Sequence, residues 1–427
     1  AFALVKYGKR PIEEGVRILA GHTDAPCLRV KPTPLLFEWD PDERDMHPGL
    51  RIDTIPYGVP HHFMFEGRSV EMRGYCYVHR KGKEKKLELS IPGILTSICV
   101  HTDDRAEDDD EFSVAHKTEA LDLITDDNSK AEFLKRTGLE ADDLLSARLF
   151  ILPLTQAKKI KPQSMNHALM TGYGQDPRIG IYLPFSAMLD AEPEYTTILF
   201  GFDREEVGSG GVNGARGRFF ERGLREAIER NGISSKQITN GFLENLAMRS
   251  YIINTDVDVG ATDRETRRVV KESVAKLGYG PFILGEDGET GGDQMCARLP
   301  ARIRDIHVRN RIVSQGAGSP LESDEDGIPT MGEFFTDRGW ETICVSCPIG
   351  GLHGLEELSH EGDQFFARKS YKAIMEDPRP FDTSLKVTQY GKRKSTVTVP
   401  TLPSKRPLKR PSRQRRPTQQ RTRRLRR

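Results

Sequence analysis

Apolar and polar positions change period along this chain, so that short strand-like runs alternate with longer helix-like ones. Val16-Arg17-Ile18-Leu19-Ala20 and Thr197-Ile198-Leu199-Phe200-Gly201-Phe202 are apolar stretches of the length that forms buried strands. Gly208, Gly210 and Gly211 break the second with a flexible, backbone-exposed turn. Thr342 to Pro348 is a further run of this kind, while Ser69 to Val78 shows the strand-like alternation of a half-buried strand. Phe219 to Asn231 and Ser234 to Ser250 read as helices, and Asp103 to Glu111 and Lys130 to Glu140 are acidic and helix-like. Strands alternating with helices predict an α/β fold, a mixed sheet covered by helices on both faces.

Candidate chemistry lies where the apolar runs end. Phe202 to Ser209 reads F-D-R-E-E-V-G-S, two adjacent glutamates at a strand tip. Successive side chains there diverge, so Glu206 can face a cation while Glu205 holds the water that the cation acidifies, which is the layout of hydrolysis on metal. Taken alone, the pair also fits a solvated acidic turn. After the first strand comes G-H-T-D-A-P, with His22 and Asp24 two residues apart. On extended backbone they share a face, which lets Asp24 orient the His22 imidazole toward a metal, although a loop histidine held by a hydrogen bond fits the triplet too.

Five separated motifs in one order resemble the M18 family of metallo-aminopeptidases: G-H-T-D-A-P, G-Y-G-Q-D-P-R around Asp176, F-D-R-E-E-V-G-S, N-T-D-V around Asp256, and the late His353. Order and spacing agree from about Val5 to Met375, and the segment from Ser146 to Leu189 resembles the bacterial members. The resemblance implies a dinuclear centre with two divalent metal ions, zinc or alternatively manganese or cobalt. Its ligands are His22, Asp256 and the bridging Asp176 for one ion, and Glu206, His353 and Asp176 for the other, with Glu205 the catalytic glutamate. Nitrogen and carboxylate ligands suit these metals, and three protein ligands per ion leave room for water and substrate. Asp258 would share the face of Asp256 in an extended segment and competes with it, and His353 is favoured over His360 because it follows the Thr342 to Pro348 strand. The family usually shows S-A-D where this chain has N-T-D. Gly285 to Gln294 lacks a lysine that relatives carry, and Gly327 to Gly332 holds a reduced glycine run.

On the same resemblance, residues 1–31 and 154–384 form a discontinuous catalytic domain and 32–153 an inserted β-rich dimerisation domain. His101, in V-H-T-D-D-R, resembles a family histidine that reaches a neighbouring subunit's active site. Relatives form dimers and tetrahedral dodecamers, so a homo-oligomer acting on the N-terminal residue of peptides is expected. An M42-type aminopeptidase shares the metal pattern, but the H-T-D-A-P and G-Q-D-P-R contexts argue against it. A diverged, inactive binding protein is the rival from another class.

The tail motivates that rival. Ser404 to Arg427 carries twelve Lys or Arg and no acid, which leaves 52 basic against 63 acidic residues in the remainder. An acidic body thus precedes a basic tail, 385–427, which is poor in apolar residues and expected to be disordered, with nucleic acid as its candidate partner. A chain of 427 residues with 36% hydrophobic content can build a sizeable core. No apolar run suffices to span a membrane, and the early charge in A-F-A-L-V-K-Y-G-K-R does not suit a signal peptide. The alanine start predicts a truncated or processed N-terminus. Of six cysteines only Cys344 and Cys347 are close, and without a second pair they read as buried small hydrophobes in a reducing, cytoplasmic setting.

Overall fold

The computed structural model describes residues 1–32, 36–37, 50–58, 62–65, 67–95, 123–125, 129–161, 168–261, 274–284, 297–318 and 331–383. Residues 1–384 form one compact unit. Its centre is a seven-stranded sheet ordered β1 (Phe2–Lys6), β13 (Thr196–Phe202), β2 (Val16–His22), β14 (Tyr251–Asn254), β19 (Thr342–Ser346), β17 (Phe282–Leu284) and β18 (Gln315–Ala317). The four strands from β13 to β19 run parallel, whereas β1 pairs antiparallel with β13, and β17 pairs antiparallel with β19 and parallel with β18.

Every residue of β2, β13 and β14 is buried, as a sheet covered on both faces demands. On one face Leu19, Leu199 and Ile253 pack with α3 (Gln175–Asp190), α6 (Arg298–Arg309) and α8 (Glu361–Met375). On the other, Ile18, Ala20, Ile198, Phe200 and Ile252 pack with α4 (Phe219–Arg230), α5 (Asn240–Met248) and α7 (Met331–Thr336). The expected α/β class with helices on both faces is therefore the one observed. At the amino end of the parallel strands the fully buried Arg17 guanidinium lies between the rings of Tyr195 and Tyr251, 3.9 and 4.5 Å from their centroids, and donates to the carbonyls of Val16, Arg249 and Arg379.

A second sheet of eight strands has its own apolar core. Its order is β4 (Leu36–Phe37), β5 (Arg51–Ile52), β9 (Leu123–Thr125), β8 (Lys83–Leu95), β7 (Arg68–Arg80), β10 (Ala147–Pro153), β3 (Cys27–Val30) and β6 (Thr54–Tyr57), with the short α1 (His62–Phe65) and α2 (Lys130–Thr137) alongside in sequence. The alternation from Ser69 to Val78 forms the middle of β7, and β3 joins this sheet although it follows β2 by only four residues. The described residues also form two three-stranded sheets: β11 (Lys158–Ile160), β12 (Leu169–Gly172) and β21 (Glu357–His360); β16 (Ala275–Lys276), β15 (Asp258–Ala261) and β20 (Pro348–Ile349).

One predicted helix starts late. Over 234–239 the Ser234 side chain pairs with Gln237 and the chain turns, and α5 begins only at Asn240, where the Thr239 hydroxyl accepts the Phe242 amide. Hydroxyl side chains that satisfy nearby groups locally compete with the helix ladder and favour its cap. The expected helix at Asp103 to Glu111 lies outside the described residues.

Burial has a consequence for stability. His307 on α6 is 1% exposed, with its ring nitrogens 2.8 Å from Ser314 Oγ and 2.7 Å from Ser370 Oγ. Burial pushes its pKa down to about 4 from 6.5. The folded state therefore favours neutral imidazole, and its contribution is complete above pH 6.5 and falls as pH drops toward 4, by up to roughly 3 kcal/mol. Denaturant unfolding of the wild type from pH 7.5 to 4.5 is expected to show this decline, and His307→Gln to flatten it.

Candidate metal centre

Parallel strands carry successive loops to the same edge of a sheet, and open α/β sheets place their sites there, at the carboxyl ends. His22 is the last residue of β2, Glu205 and Glu206 follow the end of β13 by a tight turn, and Asp256 follows the end of β14 by two residues. Asp176 arrives differently, as the second residue of α3. Its carboxylate lies at a helix N-terminus, where the macrodipole favours negative charge. Close backbone approach sets that helix against the sheet. A Cβ on Gly21 or on Gly180 would sit 2.8 Å from an atom of Thr255, whose hydroxyl donates to the Gly180 carbonyl.

The sequence-predicted ligands converge. His22 Nε2 is 3.0 Å from Asp256 Oδ1 and 3.2 Å from Asp176 Oδ1, while Asp176 Oδ2 lies 3.7 Å from His353 Nε2. His353 Nε2 is also 3.5 Å from Glu206 Oε2. Three sets each bring their ligand atoms within 4.8 Å of one another: His22, Asp176 and Asp256; Asp176, Glu206 and His353; and His22, Glu205 and Glu206. Asp256 is fixed by its backbone, with the amide donating to Asn254 Oδ1 and the carbonyl 3.3 Å from Cys344 Sγ. Its competitor Asp258 is elsewhere engaged, accepting the Val259 amide at the start of β15. His360 caps α8, its Nδ1 accepting the Gly362 amide. His101 lies outside the described residues.

Electrostatics marks the cluster as a place for cations. Burial, then repulsion from Asp256, pushes Glu205 up to about 8; burial and then Asp176 push Glu206 up to about 11. Burial likewise raises Asp256, whereas for Asp176 the attraction of His22 overrides burial and lowers it. Glu206 Oε1 is buried with no hydrogen-bond partner. Crowded carboxylates, an unsatisfied carboxylate oxygen and two imidazoles are a donor set suited to zinc or a similar divalent ion. The residues fit the group.

A sequence profile of the aminopeptidase I zinc metalloprotease (M18) family matches residues 1–375. The chain belongs to the M18 family. It is thereby a metallo-aminopeptidase, a hydrolase of peptide bonds. It is 25% identical over 386 residues to the probable M18 family aminopeptidase 1 of Thermotoga maritima, covering 86% of this chain and 81% of that one. Against the Borreliella afzelii protein of the same description the identity is 26% over 402 residues, with 88% and 84% covered. The crystal structure of the Thermotoga maritima M18 aminopeptidase superposes with a TM-score of 0.73 at 23% identity over 86% of this chain and 82% of that chain. The structure of the S. cerevisiae mApe1 dodecamer gives a TM-score of 0.64 at 17% identity, covering 87% of this chain and 82% of that one.

Of two supports of this M18 site, the sequence pointed to Asp24 but not to its role, and Glu357 escaped it. Asp24 does less for His22 and more for the glutamates than the extended-strand reading predicts, because β2 ends at His22 and the chain then turns. The Asp24 carbonyl lies 2.9 Å from His22 Nδ1, and its carboxylate Oδ1 stands farther off at 3.5 Å. That carboxylate accepts the amides of Glu205 and Glu206 and the hydroxyl of Tyr57, at 3.1, 3.2 and 3.0 Å. The second support is Glu357, 1% exposed, whose one oxygen accepts the amides of Gln175 and Asp176 while the other accepts the amide of His353. It ties the helix carrying one ligand to the turn carrying another, a turn in which His353 itself adopts φ 62°. The only sequence signal was the glutamate pair three and four residues after His353.

Glu357→Ala leaves those amides without an acceptor, and an expected loss of about 3 kcal/mol in denaturant unfolding follows from the cost of orphaned buried donors. Zinc affinity is expected to fall by roughly 10- to 100-fold in equilibrium dialysis, with Glu357→Gln intermediate because its amide group can accept through one atom alone.

Proposed function

We propose that the centre is dinuclear and that this chain removes the N-terminal residue of peptides, with His22, Asp176 and Asp256 holding one divalent ion and Asp176, Glu206 and His353 the other. The observation that carries this reading is Asp176, whose two oxygens face different histidines, 3.2 Å from His22 and 3.7 Å from His353. One carboxylate shared by two nitrogen-and-oxygen sets is the arrangement expected of a bridging ligand. Zinc is the expected metal, with manganese and cobalt compatible with the same donors. Bound there, the ions would supply Lewis-acid polarisation of the scissile carbonyl and charge stabilisation for the oxygen that gathers negative charge.

The chain's own residues do the rest. Glu205 lies outside both ligand triplets, yet is within ligand distance of His22 and Glu206. It acts as general base, taking a proton from the attacking water as the oxygen bonds to the carbonyl carbon, and returning it to the departing nitrogen as the carbon–nitrogen bond breaks. In the metal-free centre burial holds the Glu205 carboxyl above its ordinary range, and cations bound beside it would favour its ionised form, the form that takes the proton from water. Asp24 holds the amides of Glu205 and Glu206 and so fixes the direction of both carboxylates. The excess of carboxylates also offers acceptors for the substrate's protonated amine.

We further propose that the eight-stranded sheet serves assembly into homo-oligomers, in line with the dodecamer of the yeast relative. No helix among the described residues is long and apolar enough to cross a membrane. The M42 alternative gains nothing from a match to M18. The reading of an inactive protein that binds nucleic acid through its tail rests on residues outside those described.

Elemental analysis after zinc loading, paired with aminoacyl-peptide hydrolysis, tests the proposal. Chelator-sensitive cleavage is expected, with two metals per chain falling by at least one in His353→Ala. Glu205→Gln should keep its metal and lose about 10³-fold in kcat. A folded wild-type chain that takes up no metal, or a Glu205→Gln variant with full kcat, overturns it.

A further inference from the structure

Three arginines stand beside the candidate centre with no side-chain partner among the described residues. Arg29 lies on β3 directly opposite Phe150 of β10, so Arg148, two residues before Phe150, shares its face of the sheet. Tyr57 of β6 pairs opposite Cys27, two residues before Arg29, and shares that face too; its ring meets Phe150 edge-on at 5.4 Å. The Tyr57 hydroxyl reaches Asp24, which carries the amides of Glu205 and Glu206, so this cationic face is continuous with the glutamate turn. Arg204, the residue before Glu205, adopts φ 67° there, and its charge acts on both Arg29 and Tyr57.

Among the described residues none of the three side chains makes an ion pair or hydrogen bond, and the Nε atoms of Arg29 and Arg204 are buried with their protons unsatisfied. The acids nearby are engaged: Asp24 as described, and Asp203 by the Arg204 amide. Burial, and then the charge of Arg148, lowers the pKa of Arg29. By contrast Arg178, on the other side of the centre, donates to the carbonyls of Tyr173 and Gly174. Guanidinium groups held together with unused donors are a receptor for an anion whose geometry matches theirs, a carboxylate above all.

We propose that Arg29, Arg148 and Arg204 form a subsite for a carboxylate on the leaving part of the peptide, either its terminal carboxylate or an acidic side chain. The side follows from the proposed chemistry, on which this inference rests. Glu205 returns its proton to the departing nitrogen, and we assign the arginines grouped beside its turn to the portion that leaves with that nitrogen. Arg204 precedes Glu205 in the chain, and Tyr57 links the other two arginines to the same turn.

Calorimetric titration of the metal-free chain, where no peptide turns over, tests this directly with leucyl-leucine, leucyl-leucinamide, leucyl-glutamate α-amide and glutamyl-leucinamide as probes. Leucyl-leucine is expected to bind about 10-fold tighter than its amide, the size of one charge-assisted hydrogen bond. Leucyl-glutamate α-amide shows whether a side-chain carboxylate substitutes for the terminal one. Arg148→Gln and Arg204→Gln, both partly exposed positions that spare the fold, should each reduce the preference to under about 3-fold. Equal binding of leucyl-leucine, leucyl-glutamate α-amide and leucyl-leucinamide overturns the proposal. So does a preference confined to glutamyl-leucinamide, which would put the arginines on the amine side. A zinc-loaded chain that cleaves none of these peptides would sink the hydrolytic reading, while the carboxylate preference stays separately readable.

Discussion

Four carboxylates and two imidazoles share a space only a few ångströms across, and much of the surrounding structure answers to that crowding. In a low-dielectric interior like charges this close cannot all remain ionised without compensation. The fold meets the demand with what it has: His22 between Asp176 and Asp256, the N-terminus of α3 beneath Asp176, and backbone amides on Asp24 and Glu357. Even so, Glu205 and Glu206 are lifted to about 8 and 11. Divalent cations would remove the remaining conflict, which is why the same residues that make the apo centre costly make it a metal receptor.

The parts legible in the sequence were those that depend on strand ends. Apolar runs announced β2 and β13, and the motifs that follow them placed His22, Glu205 and Glu206 at one sheet edge. Asp176 and His353 came from the family resemblance, since an aspartate at the start of a helix and a histidine in a turn look ordinary in isolation. Choosing Asp256 over Asp258 needed geometry. The two differ by a strand beginning, and only coordinates put the first at 3.0 Å from His22 while the second accepts its neighbour's amide.

What remained illegible was the support. Glu357 acts through bonds to residues 175, 176 and 353, separations that no local pattern encodes. Tyr57 belongs to a different sheet from the glutamates it helps to position. The late start of α5 has the opposite cause, a local competition between Ser234, Gln237 and the helix ladder that apolar spacing does not register. Long-range hydrogen bonds and short-range side-chain capping thus both lie outside what periodicity can report.

The order in which the centre's residues occur along the chain has a temporal meaning. They sit at positions 22, 176, 205, 206, 256 and 353, and the anchor Glu357 comes last of all. During synthesis from the N-terminus, the first triplet becomes available once residue 256 has emerged, but the second waits for nearly a hundred residues more. An ion held by the second triplet would therefore depend on contacts made late in the chain's order, those between the His353 turn and the start of α3, and its binding would favour them.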